Sequence, residues 1–429
     1  MKKKKQGVRF LYILLILLSG AILFNSCRKD DDDIDRHEDN LKFHELMDDW
    51  YYWYDKMPQV NPRTYPSPYE LLEALRYRPD DRWSYITSRR EFEAYFRESK
   101  FVGYGFGSAF DSDGKLRITF VYSSSDLYEN DIRRGWIIEK VNGTEIQPGT
   151  NINQLLGPNE EGVSIDFVFR APEADDPVEF TFVKKELVMN TVLHWGVIEA
   201  AGKKIGHLVF QGFTGPSLDE LDEAFAEFQA VGIDDLILDL RYNGGGQTNV
   251  ASYLASMIGG ANLAGEPFAD YQYNDKRAEE ENFTHGFDTV QINLGLDRLI
   301  TITTRSTASA SEMVINGLRP FLPVFIIGDD TYGKPMGANG FYWNSYAFVP
   351  ITFKITNADG DGEYFDGLQA NSYVADDVTK PFDDPDEASL KEALNFIETD
   401  GFSGIARTKS LFIQPREQMR GLRREIGAH

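Results

Sequence analysis

The spacing of apolar residues changes character twice along this chain. Over 41–57 (LKFHELMDDWYYWYDKM), Leu41, Leu46, Met47, Trp50, Trp53 and Tyr54 recur at helical spacing, and Pro58 with the Pro-rich stretch 62–68 ends the element. Further helical patterns cover Tyr69 to Tyr77 and 91–98, so 38–98 is predicted as a small helical cap whose aromatic stripe is core. From 99 to 190 the pattern turns to strands. Gly103-Tyr104-Gly105-Phe106-Gly107 leads a strand, Asp111-Ser112-Asp113-Gly114 is a hairpin turn, and Leu116 to Val121 alternates. Residues 129–146 (ENDIRRGWIIEKVNGTEI) give a short helix, a Gly turn, a strand and an Asn-Gly turn. From 191 onward strands and helices alternate. Ile205–Phe210, Leu236–Leu240, Leu299–Thr303 and Val324–Ile327 are strands; Leu218–Val231, 249–258, 311–319 and 386–398 are helices. That order predicts an α/β domain with a mixed central sheet over 191–429. The acidic stretch Asp376 to Glu387 is expected as loop and 405–429 as a basic tail.

The N-terminal pattern is of another kind. Lys2 to Lys5 and Arg9 precede an apolar run from Phe10 to Phe24, then Asn25-Ser26 and Cys27, the one cysteine of the chain. A run of roughly 15 apolar residues is short for a membrane span of about 20. The layout resembles a bacterial lipoprotein signal, which implies cleavage before Cys27, acylation of that residue and residence at a Gram-negative cell envelope. Residues 28–37, with Asp30 to Asp33, are expected to be an acidic tether. A lone cysteine forms no internal disulfide or metal cluster, and no metal or other cofactor is expected.

Charge excludes one class of partner. The chain carries 44 basic and 68 acidic side chains, a net charge of −24. Such a chain does not neutralise many phosphates, which argues against nucleic acid.

Three segments of the α/β region could carry chemistry. Leu238-Asp239-Leu240-Arg241-Tyr242-Asn243-Gly244-Gly245-Gly246 is a strand ending in a glycine cluster, which can aim N–H groups at a developing negative charge. Ser306-Thr307-Ala308-Ser309-Ala310-Ser311-Glu312 joins a strand to a helix; its order also suits a simple helix cap. Tyr332-Gly333-Lys334-Pro335-Met336-Gly337 sets a lysine in a defined turn. None of the six histidines lies near these segments, and His194 and His207 are expected to be satisfied structural residues.

Together the three segments resemble the C-terminal processing, or tail-specific, serine peptidases. That family has a Leu-Asp-Leu-Arg strand-turn, a Ser-Ala-Ser-Ala-Ser-Glu nucleophile segment and a Gly-Lys turn 25 residues beyond the serine, the spacing from Ser309 to Lys334 here. The resemblance covers roughly 99–400 and implies a crotonase/ClpP-like mixed-sheet core. It implies Ser309 as nucleophile and Lys334, neutral, as general base, with the oxyanion held by the amides of Ala310 and of Gly245 or Gly246. The 99–190 region resembles a PDZ domain, and Gly103, Tyr104, Gly105, Phe106 and Gly107 match its carboxylate-binding loop, implying protein or peptide substrates recognised by their C-termini. The family often has Gln four residues after the lysine; Ala338 stands there, with Asn339 next. A peptide-binding lipoprotein of the same fold with impaired catalysis is the alternative. A crotonase-like enzyme would require neither the Ser/Lys pair nor a PDZ domain.

Overall fold

The structure, a computed structural model, describes residues 31–403 and 421–429. Cys27, and with it the predicted signal 1–27, lies outside the described residues. Two compact units form: one of the residues up to Asp49 with Trp53–Arg82, the other of Trp50–Tyr52 with Trp83–His429.

In the first unit, helix α1 (Asp31–Trp50) starts within the expected tether, so part of that stretch is helical. It stops before the predicted end, and Tyr54–Lys56 is a 3-10 turn. Helix α2 (Pro68–Leu75) begins with Pro at its first position and with the Ser67 hydroxyl accepting from Tyr69 N–H, and buries Leu71, Leu72 and Leu75. The Asn40 amide donates to the carbonyls of Pro62 and Tyr65 at 3.1 and 2.8 Å, fixing the Pro-rich segment against α1.

The second unit takes residues 83–98, which the periodicity assigns to the cap; they include helix α3 (Arg89–Glu98). Strand β1 (Lys100–Gly103) pairs with β7 (Lys185–Val188). Between them β2 (Phe106–Phe110), β3 (Leu116–Val121), β4 (Ile137–Val141), β5 (Ser164–Arg170) and β6 (Val178–Val183) form an antiparallel sheet in that order. Phe106, Ile118, Ile138, Phe167 and Phe169 are its core.

The α/β part carries a six-stranded sheet in the order β8 (Val192–Ala200), β9 (Lys203–Phe210), β10 (Asp235–Asp239), β11 (Leu299–Thr303), β12 (Val324–Gly328), β13 (Ser372–Tyr373). The β8–β9 pair is antiparallel and the rest parallel, the mixed sheet that the alternation predicts. Strand β10 is buried on both faces, and its alternation decides what each side packs. Leu236 and Leu238, with Leu240 just beyond, join the cluster of helices α4 (Ser217–Val231), α5 (Thr248–Gly259) and α6 (Ala310–Leu318). Ile237 faces the other way, toward Leu390 and Phe396 of α7 (Ala388–Thr399).

The acidic stretch 376–387 is loop as expected, but two of its carboxylates are core residues. Arg241, fully buried, binds Asp239, Asp376 and Glu387. Arg134, from the β-rich part, donates to Asp376 Oδ1 at 2.9 Å and to the Lys380 carbonyl at 2.8 Å. Burial pushes the Asp376 carboxyl upward, but Arg134 and Arg241 pull it below the usual carboxylate range. Buried charges are retained only where such pairing offsets desolvation.

Candidate active site

Ser309 stands where β11 passes into α6, with φ 56° and ψ −115°. A non-glycine residue there is strained by about 1–3 kcal/mol, so its surroundings must hold it. The Thr307 hydroxyl donates to the Leu240 carbonyl at 2.8 Å, and the Ala308 N–H donates to the Asn243 carbonyl at 3.0 Å, tying the segment to the glycine turn. Gly245, at φ 103°, lies so close that a Cβ on it would meet the Ser309 Cβ at 2.7 Å. The N–H of Gly245 donates to Asn243 Oδ1 at 2.9 Å. Of the two glycines expected to serve an oxyanion, Gly245 therefore has its donor committed, and Gly246 lines the cavity beside Ser309.

Lys334 is half-buried in the turn after β12, preceded by Gly333 at φ 91°. One carboxylate joins this turn to the serine. Glu312, in the first turn of α6 and fully buried, accepts from Ser309 N–H (2.9 Å) and Lys334 N–H (2.8 Å) on Oε2. Its Oε1 accepts from Gly333 N–H (2.7 Å) and the Thr331 hydroxyl (2.5 Å). Burial pushes this carboxyl above the usual range, and the four donors oppose that shift. A second tie runs from Tyr332 N–H to the Thr307 carbonyl at 2.8 Å. Sequence reasoning gave Glu312 only a capping role. Its position three residues after Ser309 was the available signal, and its reach to the lysine turn was not visible.

Ser309 and Lys334 open into one cavity of about 550 Å³, walled by Phe92, Phe96, Tyr342 and Phe353. Ala338 and Asn339 also line it. The Asn339 N–H donates to Thr352 Oγ1 at 3.1 Å. Ala310 begins α6 directly after the serine.

The Gly103–Gly107 segment lies at a separate place. The N–H groups of Tyr104 and Gly105 both donate to the His429 carbonyl, at 2.8 and 2.7 Å, and His429 N–H donates to the Phe106 carbonyl at 2.8 Å. Gly105 needs φ 85°, and Gly107 pairs with Phe120 inside the sheet. His207 departs from expectation. It is fully buried, neither ring nitrogen has a hydrogen-bond partner among the described residues, and Asp239 is 3.8 Å away, too far for one.

A mixed sheet flanked by helices, with a strained serine and a lysine turn sharing a cavity beyond its strand ends, defines an α/β peptidase fold. The chain belongs to peptidase family S41. Residues 204–368 match the family itself and residues 42–85 match the peptidase S41 N-terminal domain. It is 24% identical over 200 residues to a carboxyl-terminal-processing protease of Synechocystis sp., covering 46% of this chain and 44% of that one. An S41 protease structure from Bacteroides fragilis superposes with a TM-score of 0.69 at 25% identity, over 84% of this chain and 97% of that one. The photosystem II D1 C-terminal processing protease shares the fold, with a TM-score of 0.51 at 19% identity over 85% and 97% of the two chains. The chain spans about half the length of the curated relatives it matches (44%, 57% and 47%).

Proposed function

We propose that the protein is a serine endopeptidase in which Ser309 and Lys334 form the catalytic dyad. Ser309 Oγ attacks the scissile carbonyl while its proton passes to the neutral Lys334 amine. The tetrahedral intermediate then collapses, the C–N bond breaks, and Lys334 returns the proton to the leaving amine. Water hydrolyses the acyl-enzyme by the same proton route. The N–H groups of Ala310 and Gly246 receive the oxyanion. The observation that carries this reading is the buried Glu312 carboxylate holding the backbones of Ser309 and Lys334 on a single oxygen, at 2.9 and 2.8 Å. The bond to Ser309 N–H also caps α6, and the bond to Lys334 N–H on the same oxygen carries that cap across to the lysine turn, which supports the pairing of the two residues.

The loop at Gly103–Gly107 recognises the C-terminal end of a substrate, and the aromatic cavity takes the chain upstream of it. Acylation of Cys27 places the enzyme at a cell-envelope membrane. A fluorophosphonate probe tests the dyad. Labelling is expected in the wild-type protein and absent in Ser309→Ala and Lys334→Ala variants that remain folded. A folded wild-type protein that fails to label, or a Lys334→Ala variant that labels at the wild-type rate, overturns the assignment.

A further inference from the structure

The last nine residues of the sequence, expected as part of a tail, are built into the second unit. Helix α8 (Leu422–Ile426) and the residues after it bury Leu422, Ile426 and Ala428 against a cluster that includes Tyr85, Phe101, Tyr122 and Leu187. Polar contacts fix the segment along its length. The Arg423 guanidinium donates to Asn159 Oδ1 at 2.8 Å, and Gln211 Nε2 donates to the Ile426 carbonyl at 2.8 Å.

His429 lies on the Gly103–Gly107 loop as an added strand does. Its carbonyl takes two consecutive N–H groups and its own N–H goes to Phe106. The His429 side chain is buried, with Nε2 3.1 Å from Ser108 Oγ and the ring centroid 5.3 Å from that of Phe106. At the other end the segment reaches the catalytic side. The Arg424 guanidinium sits 4.2 Å over the ring of Tyr332, two residues before Lys334. Gly421 packs against Tyr85, which lines the Ser309 cavity.

We propose that residues 421–429 are an intramolecular peptide ligand of the Gly103–Gly107 loop, and that they must leave before another peptide binds there. The inference rests on the peptide-binding reading of that loop. It also states the chemistry that the groove accepts. The bound segment offers a main-chain oxygen to paired N–H groups, an uncharged hydrogen-bonding side chain to Ser108, a small residue before it, and a cation five positions upstream at Tyr332. A tethered segment competes like free peptide at about 1 mM. For an intrinsic affinity tighter than about 0.1 mM, external peptide then binds at least about tenfold more weakly than to an emptied groove.

The test uses a fluorescein-labelled nonapeptide of residues 421–429 and the full chain, read by anisotropy. In a Leu422→Asp/Ile426→Asp variant the segment is expelled by two charges that the apolar cluster cannot accept. That variant is expected to bind the probe at least tenfold more tightly than the wild-type chain does. Equal affinity for the two chains overturns the proposal. A folded variant that binds other free-carboxylate peptides but not this probe overturns self-occupancy and leaves the loop a peptide site. A folded variant that binds no peptide removes the peptide-binding reading and the proposal together. Should the variant unfold, hydrogen exchange at the Tyr104 and Gly105 amides of the wild-type chain decides. Protection that persists on dilution is expected; exchange at unstructured rates, or protection lost on dilution as for a second copy, refutes intramolecular docking.

Discussion

Replacing Glu312 by Gln changes one atom and tests the central geometric claim. The carboxylate accepts from four donors: Ser309 N–H and Lys334 N–H on one oxygen, Gly333 N–H and the Thr331 hydroxyl on the other. An amide keeps one oxygen. If its NH2 replaces Oε2, two main-chain N–H groups face a donor. If it replaces Oε1, Gly333 N–H loses its acceptor. Thr331 would have to turn its hydroxyl away as well, although its oxygen already accepts from Leu368 N–H at 2.7 Å. The better orientation therefore strands two buried donors, at about 1–3 kcal/mol each before relaxation. Glu312→Gln is expected to cost about 2–4 kcal/mol, read from the urea midpoint by tryptophan fluorescence. The fluorophosphonate labelling rate of the folded fraction should fall with it, because the Ser309 and Lys334 backbones lose their common anchor. A cost under about 1 kcal/mol with an unchanged labelling rate would refute the claim that this carboxylate joins the two turns.

Four further outcomes follow from the same structure. Ser309→Gly removes the side chain that makes φ 56° costly, so it should abolish labelling yet stabilise the chain by about 0.5–2 kcal/mol, a rise in melting temperature of a few degrees. Arg134→Ala should cost about 3–5 kcal/mol in urea unfolding, since it removes a buried partner of Asp376 and leaves the Lys380 carbonyl without its donor. Asp376, held below the usual carboxylate range, adds stability that is present above about pH 3.8 and is lost as pH falls further, so the midpoint should drop between pH 5 and pH 2 and drop less in that variant. His429 is pushed down to about 3, by burial first and then by Arg423 and Lys184, whereas a free imidazole titrates near 6.5. Only the neutral ring docks, so docking is complete above about pH 6.5 and weakens roughly 30-fold by pH 5.0. Exchange at Tyr104 and Gly105, corrected for intrinsic rates, should show it, and pH-independent protection would contradict it.

What the sequence revealed and what it hid divide along a physical line. Periodicity identified the parallel core because Leu236–Leu240 and Leu299–Thr303 are short apolar runs between turn signals, and such runs have few other places to go. The two glycine turns were legible as turns because Gly245 and Gly333 stand where positive φ is required. Features built from distant polar partners were not. Nothing in the spacing of Asp376 and Glu387 says that they meet Arg241 in the core, for an acidic stretch of that composition is ordinarily solvated. The same holds for residues 421–429, whose charge reads as a tail while Leu422, Ile426 and Ala428 make it a docked segment. The aspartates that open α1 misled in the opposite sense, since a run of that composition suits either a tether or a helix start.

The candidate site is held by hydrogen bonds from side chains to backbone more than by packing alone. The glycine turn follows directly on Arg241, whose guanidinium is locked to three carboxylates and whose carbonyl accepts from the Thr304 hydroxyl. The Thr307 hydroxyl reaches the Leu240 carbonyl and the Ala308 N–H reaches the Asn243 carbonyl, so the serine segment is fastened to that turn at three points. Glu312 then fastens the serine segment to the lysine turn. Each tie ends on a main-chain atom, and so fixes where the backbone runs rather than how one side chain packs. A cluster of apolar side chains tolerates shifts of several tenths of an ångström by repacking, whereas a buried hydrogen bond weakens steeply over such a displacement. Tyr332 lies within this chain of ties, bonded through its N–H to Thr307 and covered on its ring by Arg424. Docking of 421–429 and placement of the lysine turn therefore share a residue, and expulsion of the segment uncovers the Tyr332 ring while leaving the main-chain tie to Thr307 in place.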